Sequence, residues 1–505
     1  MPALASALAA SAGLLQLAAA AEPKVVGFGF TKNQVSDHAN LAKRQKTVQA
    51  GLSNMRSLYQ INVTVGTPPQ TIGLQLDTGS ADIWFPYAGS QECQENYCTT
   101  GSFDPDRSST FVDVAQDAFE IQYVDNTQIY GDYIKDTISL GDTDITNMTM
   151  ALATSTGGST QGIMGIAFVS DETIAQTDER YEYPNFPVQL LNQGYISSLA
   201  YSLWLNDLSS STGNILFGGV DSAKYHGDLI ALPIQRDSSS NDITSFTVAM
   251  SSLNITGGTG KSVYSQPNID LAAILDSGTT LTYLPNSIAN DIIKGVGAIN
   301  DPTFGYVVRC NIGATGSNIT FGFGGADGPI ITVGMDEMTV PLLDTAGESL
   351  KFRNGEDACM FGINPAGDDP ILLGDTFLRS AYVVYDLHNE QVALANTNFN
   401  TSDSHVQEIT NSTVPGVRAT ASGVAVTQTA TGNVRPTASR VAGGTAAASA
   451  DAGTPTFDLG TPTTTAKSGG SKKGAAAGLA PPRSALVGAL VMVGLVCGGG
   501  LMVVV

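Results

Sequence analysis

A chain of 505 residues is longer than one ordinary domain, so two or more core-bearing units are expected. It carries 46 Asp and Glu against 24 Lys and Arg, a formal charge of -22, and a surface this acidic argues against nucleic acid or anionic lipid headgroups as partners. The balance serves solubility, and because few groups stay charged once carboxylates neutralise, it also suits an acidic working environment.

Residues 1–21, MPALASALAASAGLLQLAAAA, are apolar and small, with Ala19, Ala20 and Ala21 just ahead of Glu22 and Pro23. That is the layout of a secretory signal peptide, although no positive charge follows Met1. Residues 22–44 are polar and end in the dibasic pair Lys43-Arg44, so a propeptide cut after Arg44 is expected.

From residue 55 to 399 short β-rich runs such as YQINVTVG, TIGLQLD, FEIQYVD and YVVYDL alternate with Gly, Asn, Asp and Ser clusters. Helical patterns are few, PVQLLNQG and SIANDIIKGV being the better ones, and the region reads as mainly antiparallel β. In TIGLQLD, Leu74 and Leu76 read as the buried side of a strand that ends in Asp77. Five cysteines occur, and Cys497 lies in the C-terminal tail. The other four allow three connectivities; pairing Cys93 with Cys98 and Cys310 with Cys359 keeps each bridge within one half of the chain. Zinc ligation has no support, since there is no CxxC pair and no neighbouring His. Sequons at Asn62, Asn147, Asn254, Asn318, Asn400 and Asn411 suggest a glycosylated surface.

Residues 400–474 are Ser, Thr, Ala and Gly with scattered Pro, too poor in apolar area for a core. This is the composition of an O-glycosylated stalk. Residues 475–505 pass through Pro481, Pro482 and Arg483 into a run that stays apolar to Val505. Its length suits a transmembrane helix, but nothing polar follows it and no Lys or Arg marks a cytoplasmic side. A GPI-attachment signal is therefore the expectation, with Gly474, Ser471 or Gly470 as attachment points and a lipid anchor as the link to the membrane.

The β-rich region contains an internal echo. Residues 77–86 read DTGSADIWFP and residues 276–285 read DSGTTLTYLP. Asp matches Asp, Gly matches Gly, hydroxyls match hydroxyls, and the aromatics Trp84 and Tyr283 and prolines Pro86 and Pro285 fall at equal offsets. Later in each half comes a second shared element, Ile163-Met164-Gly165 and Leu372-Leu373-Gly374. A lone buried carboxylate is costly. Two lobes related by a pseudo-twofold axis remove the difficulty by bringing Asp77 and Asp276 together, where they share one proton and titrate as a unit. Gly79 and Gly278 permit the tight turns, and the hydroxyls of Thr78, Ser80, Ser277 and Thr279 are expected to donate to the carboxylates. A pair holding one proton can take a proton from water with one member while the other donates to a peptide carbonyl.

With these motifs, with GIMGIAF at 162–168, ILLGDTFLRSAYVVYDLHNEQVALA at 371–395 and YQINVTVGTPPQ at 59–70, the sequence resembles the pepsin-type aspartic proteases over nearly all of residues 55–399. The stalk and tail make it most similar to the fungal cell-surface, yapsin-like group. The resemblance implies a mainly β, bilobal fold, with pseudo-symmetric lobes at 55–225 and 226–399 around a central cleft. It carries the catalytic aspartates over to Asp77 and Asp276 and places Gly79, Gly278 and Thr279 on the substrate side. It also implies a flap hairpin, which FEIQYVDNTQIYGDYIKDT (119–137) fits, with Tyr123 as the flap tyrosine bonding toward Trp84. Val124 stands where the family often has Gly. Asp125 is the candidate for accommodating a basic side chain before the cut bond, and Lys24 and Lys32 are candidates for the propeptide lysine that neutralises the pair.

The expected protein is an acid-active, monomeric endopeptidase of protein or peptide substrates that needs no cofactor. Its rivals are a catalytically silent pepsin-like binding protein and a structural mannoprotein whose stalk is the working part. A serine hydrolase fits poorly, with four His and no Gly-x-Ser-x-Gly elbow.

Overall fold

Two β-rich halves, each carrying one copy of the Asp motif, make up the fold. The structure is a computed structural model that describes residues 23–34, 52–53, 57–123, 127–159, 161–176, 181–210, 212–238, 240–344, 347–410, 413–424, 426 and 450–463. The expected signal peptide, the Lys43-Arg44 pair, Val124, Asp125, Asn411, the attachment candidates Gly470, Ser471 and Gly474, and Cys497 all lie outside the described residues. Among the described residues no helix is long and apolar enough to cross a membrane.

Strands β1 (Val26–Gln34), β2 (Ser57–Val65) and β3 (Gln70–Asp77) sit side by side inside a fourteen-stranded sheet. Strand β2 shows why sequence alternation works. Tyr59, Ile61, Val63 and Val65 are buried while Asn62 is exposed, as expected when successive side chains point to opposite faces. Strand β3 is different, because it is buried on both faces from Ile72 to Asp77. Its end pairs in parallel with β4 (Gly162–Gly165), Asp77 opposite Gly165. The second half repeats the construction in a seven-stranded sheet: the end of β5 (Ser262–Leu275) pairs in parallel with β6 (Ile371–Leu373), which follows helix α1 (Asn286–Val296) in the chain. The halves are not cleanly divided at 225/226. Tyr225–Pro233, Ala381–Asp386 and Gln391–Thr397 join the long sheet beside strands of the first half.

Strand β1 belongs to the segment expected as propeptide, yet it is an interior strand. It pairs with Thr212–Phe217 on one side and β2 on the other, and buried Phe30 meets Tyr59 edge-on at 5.3 Å. Lys24 is exposed just ahead of it, and the backbone of Lys32 is paired with that of Tyr59. The four described cysteines form Cys93–Cys98 and Cys310–Cys359, with Cα atoms 4.9 and 5.0 Å apart. Asn62, Asn147 and Asn400 are exposed, and Asn254 and Asn318 are half-buried.

A buried ion pair ties the halves together. Arg379 pairs through Nε with the Glu337 carboxylate and donates from a second nitrogen to the Glu337 carbonyl at 2.5 Å. Glu337 also accepts from the Leu208 amide of the first half at 3.0 Å. Removing one partner strands a charge in the core, so Arg379→Ala is expected to cost about 3–5 kcal/mol in chemical denaturation.

The composition-based stalk needs correction over part of its length. Val406–Glu408 pairs with Gly219–Asp221, Val417–Thr420 lies parallel to Tyr225–Pro233, and Ile409, Val414, Ala421 and Leu459 are buried. Buried Asp221 accepts from Ser404 Oγ and from the His405 amide. Average composition hides this, because a few apolar residues spaced among Ser, Thr and Gly suffice when they fill grooves of an existing core rather than build one.

Candidate active site

The two Asp loops are clamped in matching ways. In the first, the Ile166 amide donates to the Asp77 carbonyl at 3.0 Å and the Ala167 amide to the Ser80 carbonyl at 2.9 Å. In the second, the Asp276 amide donates to the Leu373 carbonyl at 3.2 Å and the Asp375 amide to the Thr279 carbonyl at 2.8 Å. A Cβ on Gly165 would stand 2.6 Å from the Asp82 carbonyl oxygen, and one on Gly374 would stand 2.3 Å from that of Thr279. The recurring apolar-apolar-Gly elements are thus the clamps, and their glycines permit the close approach.

Asp77 and Asp276 are both fully buried, and their carboxyls adjoin across Gly278, close enough for the charge of one to bear on the other. The Gly79 and Gly278 amides donate to the Oδ1 atoms of Asp77 and Asp276, each at 2.8 Å. Ser80 Oγ and Thr279 Oγ1 donate to the Oδ2 atoms, each at 2.5 Å. Gly278 lies against both, since a Cβ there would be 2.3 Å from Asp77 Oδ1 and 3.1 Å from Asp276 Oδ1. Burial, and next the Asp77 charge, push the Asp276 carboxyl well above the usual carboxylate range; the Thr279 hydroxyl and the Gly278 amide oppose the shift.

Thr78 and Ser277 do other work than expected. Each hydroxyl donates across the axis to a carbonyl, Thr78 to Leu275 at 3.0 Å and Ser277 to Leu76 at 3.1 Å, and each accepts the other's backbone amide. They lock the two loops to each other, while Ser80 and Thr279 hold the carboxyls. Thr279 is fully buried and its hydroxyl donates to Asp276. Between Leu74 and Leu76, Gln75 is also buried and donates to the Gly278 carbonyl at 2.9 Å, a further tie between the loops.

Strands Val112–Gln122 and Gln128–Leu140 pair as a hairpin that includes the expected flap segment. Beside its turn, Tyr123 is buried and its hydroxyl accepts from Trp84 Nε1 at 2.6 Å.

Sequence reasoning missed a buried acidic group behind Trp84. Asp82 accepts from the Thr173 amide and hydroxyl and from the Tyr183 hydroxyl at 2.7–2.9 Å. Glu172 accepts from the Tyr183 amide at 2.9 Å, and Asp171 is buried beside them. Burial raises all three, pushing Glu172 up to about 10. The signal was an acidic residue inside the apolar stretch ADIWFP and an adjacent Asp-Glu pair after GIAF, both readable as turn residues.

Two buried, adjoining carboxyls with mirrored amide and hydroxyl donors define a protein built to poise one proton between two acids, the device of the aspartic-type hydrolases. The eukaryotic aspartyl protease family model matches residues 58–397, and the chain belongs to that family. It is 42% identical over 406 residues to the probable aspartic-type endopeptidase opsB of Aspergillus oryzae, covering 78% of this chain and 81% of that protein. It is 35% identical over 406 residues to the aspartic proteinase yapsin-3 of Saccharomyces cerevisiae, covering 78% and 76%. The aspartic proteinase of Irpex lacteus superposes with a TM-score of 0.56 at 23% identity, covering 75% of this chain and all of that one, and shows the bilobal fold. The chain is an aspartic endopeptidase.

Proposed function

We propose that Asp77 and Asp276 are the catalytic pair of an acid-active endopeptidase that is secreted and held at the cell surface by a GPI anchor. The observation that carries this reading is the juxtaposition of two fully buried carboxyls with mirrored amide and hydroxyl donors. With one proton on the pair, the ionised member takes a proton from a water lying between them. The resulting hydroxide adds to the peptide carbonyl carbon, and the protonated member donates to the carbonyl oxygen. The pair then gives the proton taken from water to the amide nitrogen and takes one from a hydroxyl of the tetrahedral intermediate, so the C–N bond breaks to an amine and a carboxylic acid and one proton is left on the pair. Tyr123, oriented by Trp84, serves on the flap that closes over substrate and excludes water. A digest of casein across acidic and neutral pH, with and without pepstatin, tests the reading. Pepstatin-sensitive cleavage confined to acid is expected, and cleavage unaffected by pepstatin overturns it.

On the same reading, Asp125 tolerates Lys or Arg before the cut bond. Asp125→Asn is expected to lower kcat/KM for Lys- and Arg-containing peptides about tenfold relative to Leu and Phe analogues, the scale of one charge interaction in a site. Equal losses on both substrate sets count against it. The acidic chain and apolar, uncharged C-terminal run support surface attachment. Mass spectrometry of the mature C-terminus tests it, with a lipid on Gly470, Ser471 or Gly474 expected.

A further inference from the structure

Residues Ala450–Thr463, beyond the span of the family match, lie on the second half of the molecule. Their side chains alternate in exposure. Thr454, Thr456 and Asp458 face outward, Pro455 and Phe457 are half-buried, and Leu459 is buried in the main core. This period of two is that of an extended peptide laid on a surface. The surface is cut to receive it. A Cβ on Gly295 near the end of α1 would lie 2.1 Å from the Phe457 ring, and one on Gly257 would lie 2.2 Å from the Asp458 carbonyl oxygen. Gly297, in the left-handed region, leaves room for Pro455. Phe457 also packs on Tyr264, ring centres 5.8 Å apart. The Thr456 and Phe457 amides both donate to the Gly295 carbonyl at 2.9 Å. The Gly258 amide donates to the Leu459 carbonyl at 2.9 Å, and the Thr463 amide to the Ala314 carbonyl at 3.0 Å.

We propose that this groove, formed by the end of α1, the turn at Gly257-Gly258 and Ala314, is a peptide-binding site for the chain's own Pro455-x-Phe457-x-Leu459-Gly460 stretch. It holds the C-terminal region on the protease body independently of the covalent connection through residues 427–449. Main-chain hydrogen bonds supply attachment and alternate apolar side chains supply specificity, as when an extended peptide docks on a folded surface. A cut within 427–449 then leaves a two-part molecule that stays together. Where the C-terminal region carries the proposed lipid anchor, such a cut does not shed the enzyme; that consequence rests on the anchor, whereas the groove does not.

The test places a specific protease site between residues 430 and 440 of the full chain and cuts it completely, as judged on a denaturing gel. At about 10 μM, where micromolar or tighter attachment persists, the C-terminal fragment is expected to co-elute with the body in gel filtration. Gly295→Ala is expected to release it. Alanine favours a helix more than glycine does, so loss of the fragment from a folded, active body points to the filled groove and not to damage in α1. Leu459→Ala combined with Phe457→Ala is expected to release it equally, from the other side of the contact. Separation of the wild-type fragment, or its retention by Gly295→Ala to the wild-type extent, overturns the proposal.

Discussion

Replacing either Asp77 or Asp276 by Asn is expected to lower kcat on a peptide substrate at acidic pH by at least about 10³-fold, within the range ascribed to positioned acid–base groups. Asn keeps the side-chain shape and an oxygen that can accept from the Gly79 or Gly278 amide, so the fold is not at issue. What disappears is the shared proton, because an amide is neither the base that deprotonates water nor the acid that protonates the carbonyl. The same substitution at Asp276 carries a second, opposite signature. Its folded-state carboxyl titrates well above the ordinary value of 3.8, so above that value the folded chain binds a proton that the unfolded chain has released. Stability therefore falls as pH rises from that value, and Asp276→Asn removes this contribution. Denaturation at pH 4 and pH 7 should show the variant gaining stability relative to wild type at the higher pH, while activity at pH 4 is lost. A variant that keeps wild-type turnover ends the assignment of the pair.

The repeated Asp motif and its recurring partner were legible because duplication leaves the same small residues at the same offsets, and small residues tolerate little substitution of shape. What could not be read was which hydroxyl serves which purpose. Thr78 and Ser80 are two residues apart in one turn, and only the placement of the opposite loop decides that Thr78 reaches Leu275 while Ser80 turns back to Asp77. Gln75 was hidden for a related reason. In a strand with one wet face a polar residue between Leu74 and Leu76 points to water, but β3 is covered on both sides and Gln75 spans the interface. The docked Pro455–Gly460 stretch escaped because its groove is made by residues 257–297 and 314, far away along the chain. Its alternation of Thr, Pro, Thr, Phe, Asp and Leu was visible, but the Ser, Thr and Gly around it outweighed three apolar residues.

The acidic group around Glu172 should make the molecule lose stability as pH rises toward neutrality. Burial is the largest cause of the upward shift at Glu172, Asp171 and Asp82; the Asp82 charge adds to it at Glu172 and Asp171, and the active-site carboxyls add to it at Asp171. Glu172 has its ordinary value at 4.5 and titrates near 10 when folded. Below the lower value the group is protonated folded and unfolded alike, and costs nothing. Above it the unfolded chain ionises while the folded chain cannot, so folding weakens by about 1.4 kcal/mol for each further pH unit, reaching about 3 kcal/mol at pH 7. Asp82 and Asp171 act in the same direction. Glu172→Gln keeps an acceptor for the Tyr183 amide and removes the ionisable group. Urea denaturation should therefore find the variant close to wild type at pH 4 and more stable by about 3 kcal/mol at pH 7. A wild-type protein equally stable at both values, or a variant that gains nothing at pH 7, shows that Glu172 is held ionised. Asp82 and Glu172 bond to Tyr183, which packs in the same buried cluster as Trp84 and Tyr123, so opening of this region, favoured as its acids ionise in the unfolded chain, removes the support of Tyr123. Activity should then be lost irreversibly near neutral pH, at a rate slowed by Glu172→Gln, whereas titration of the Asp77–Asp276 pair is restored on return to acid.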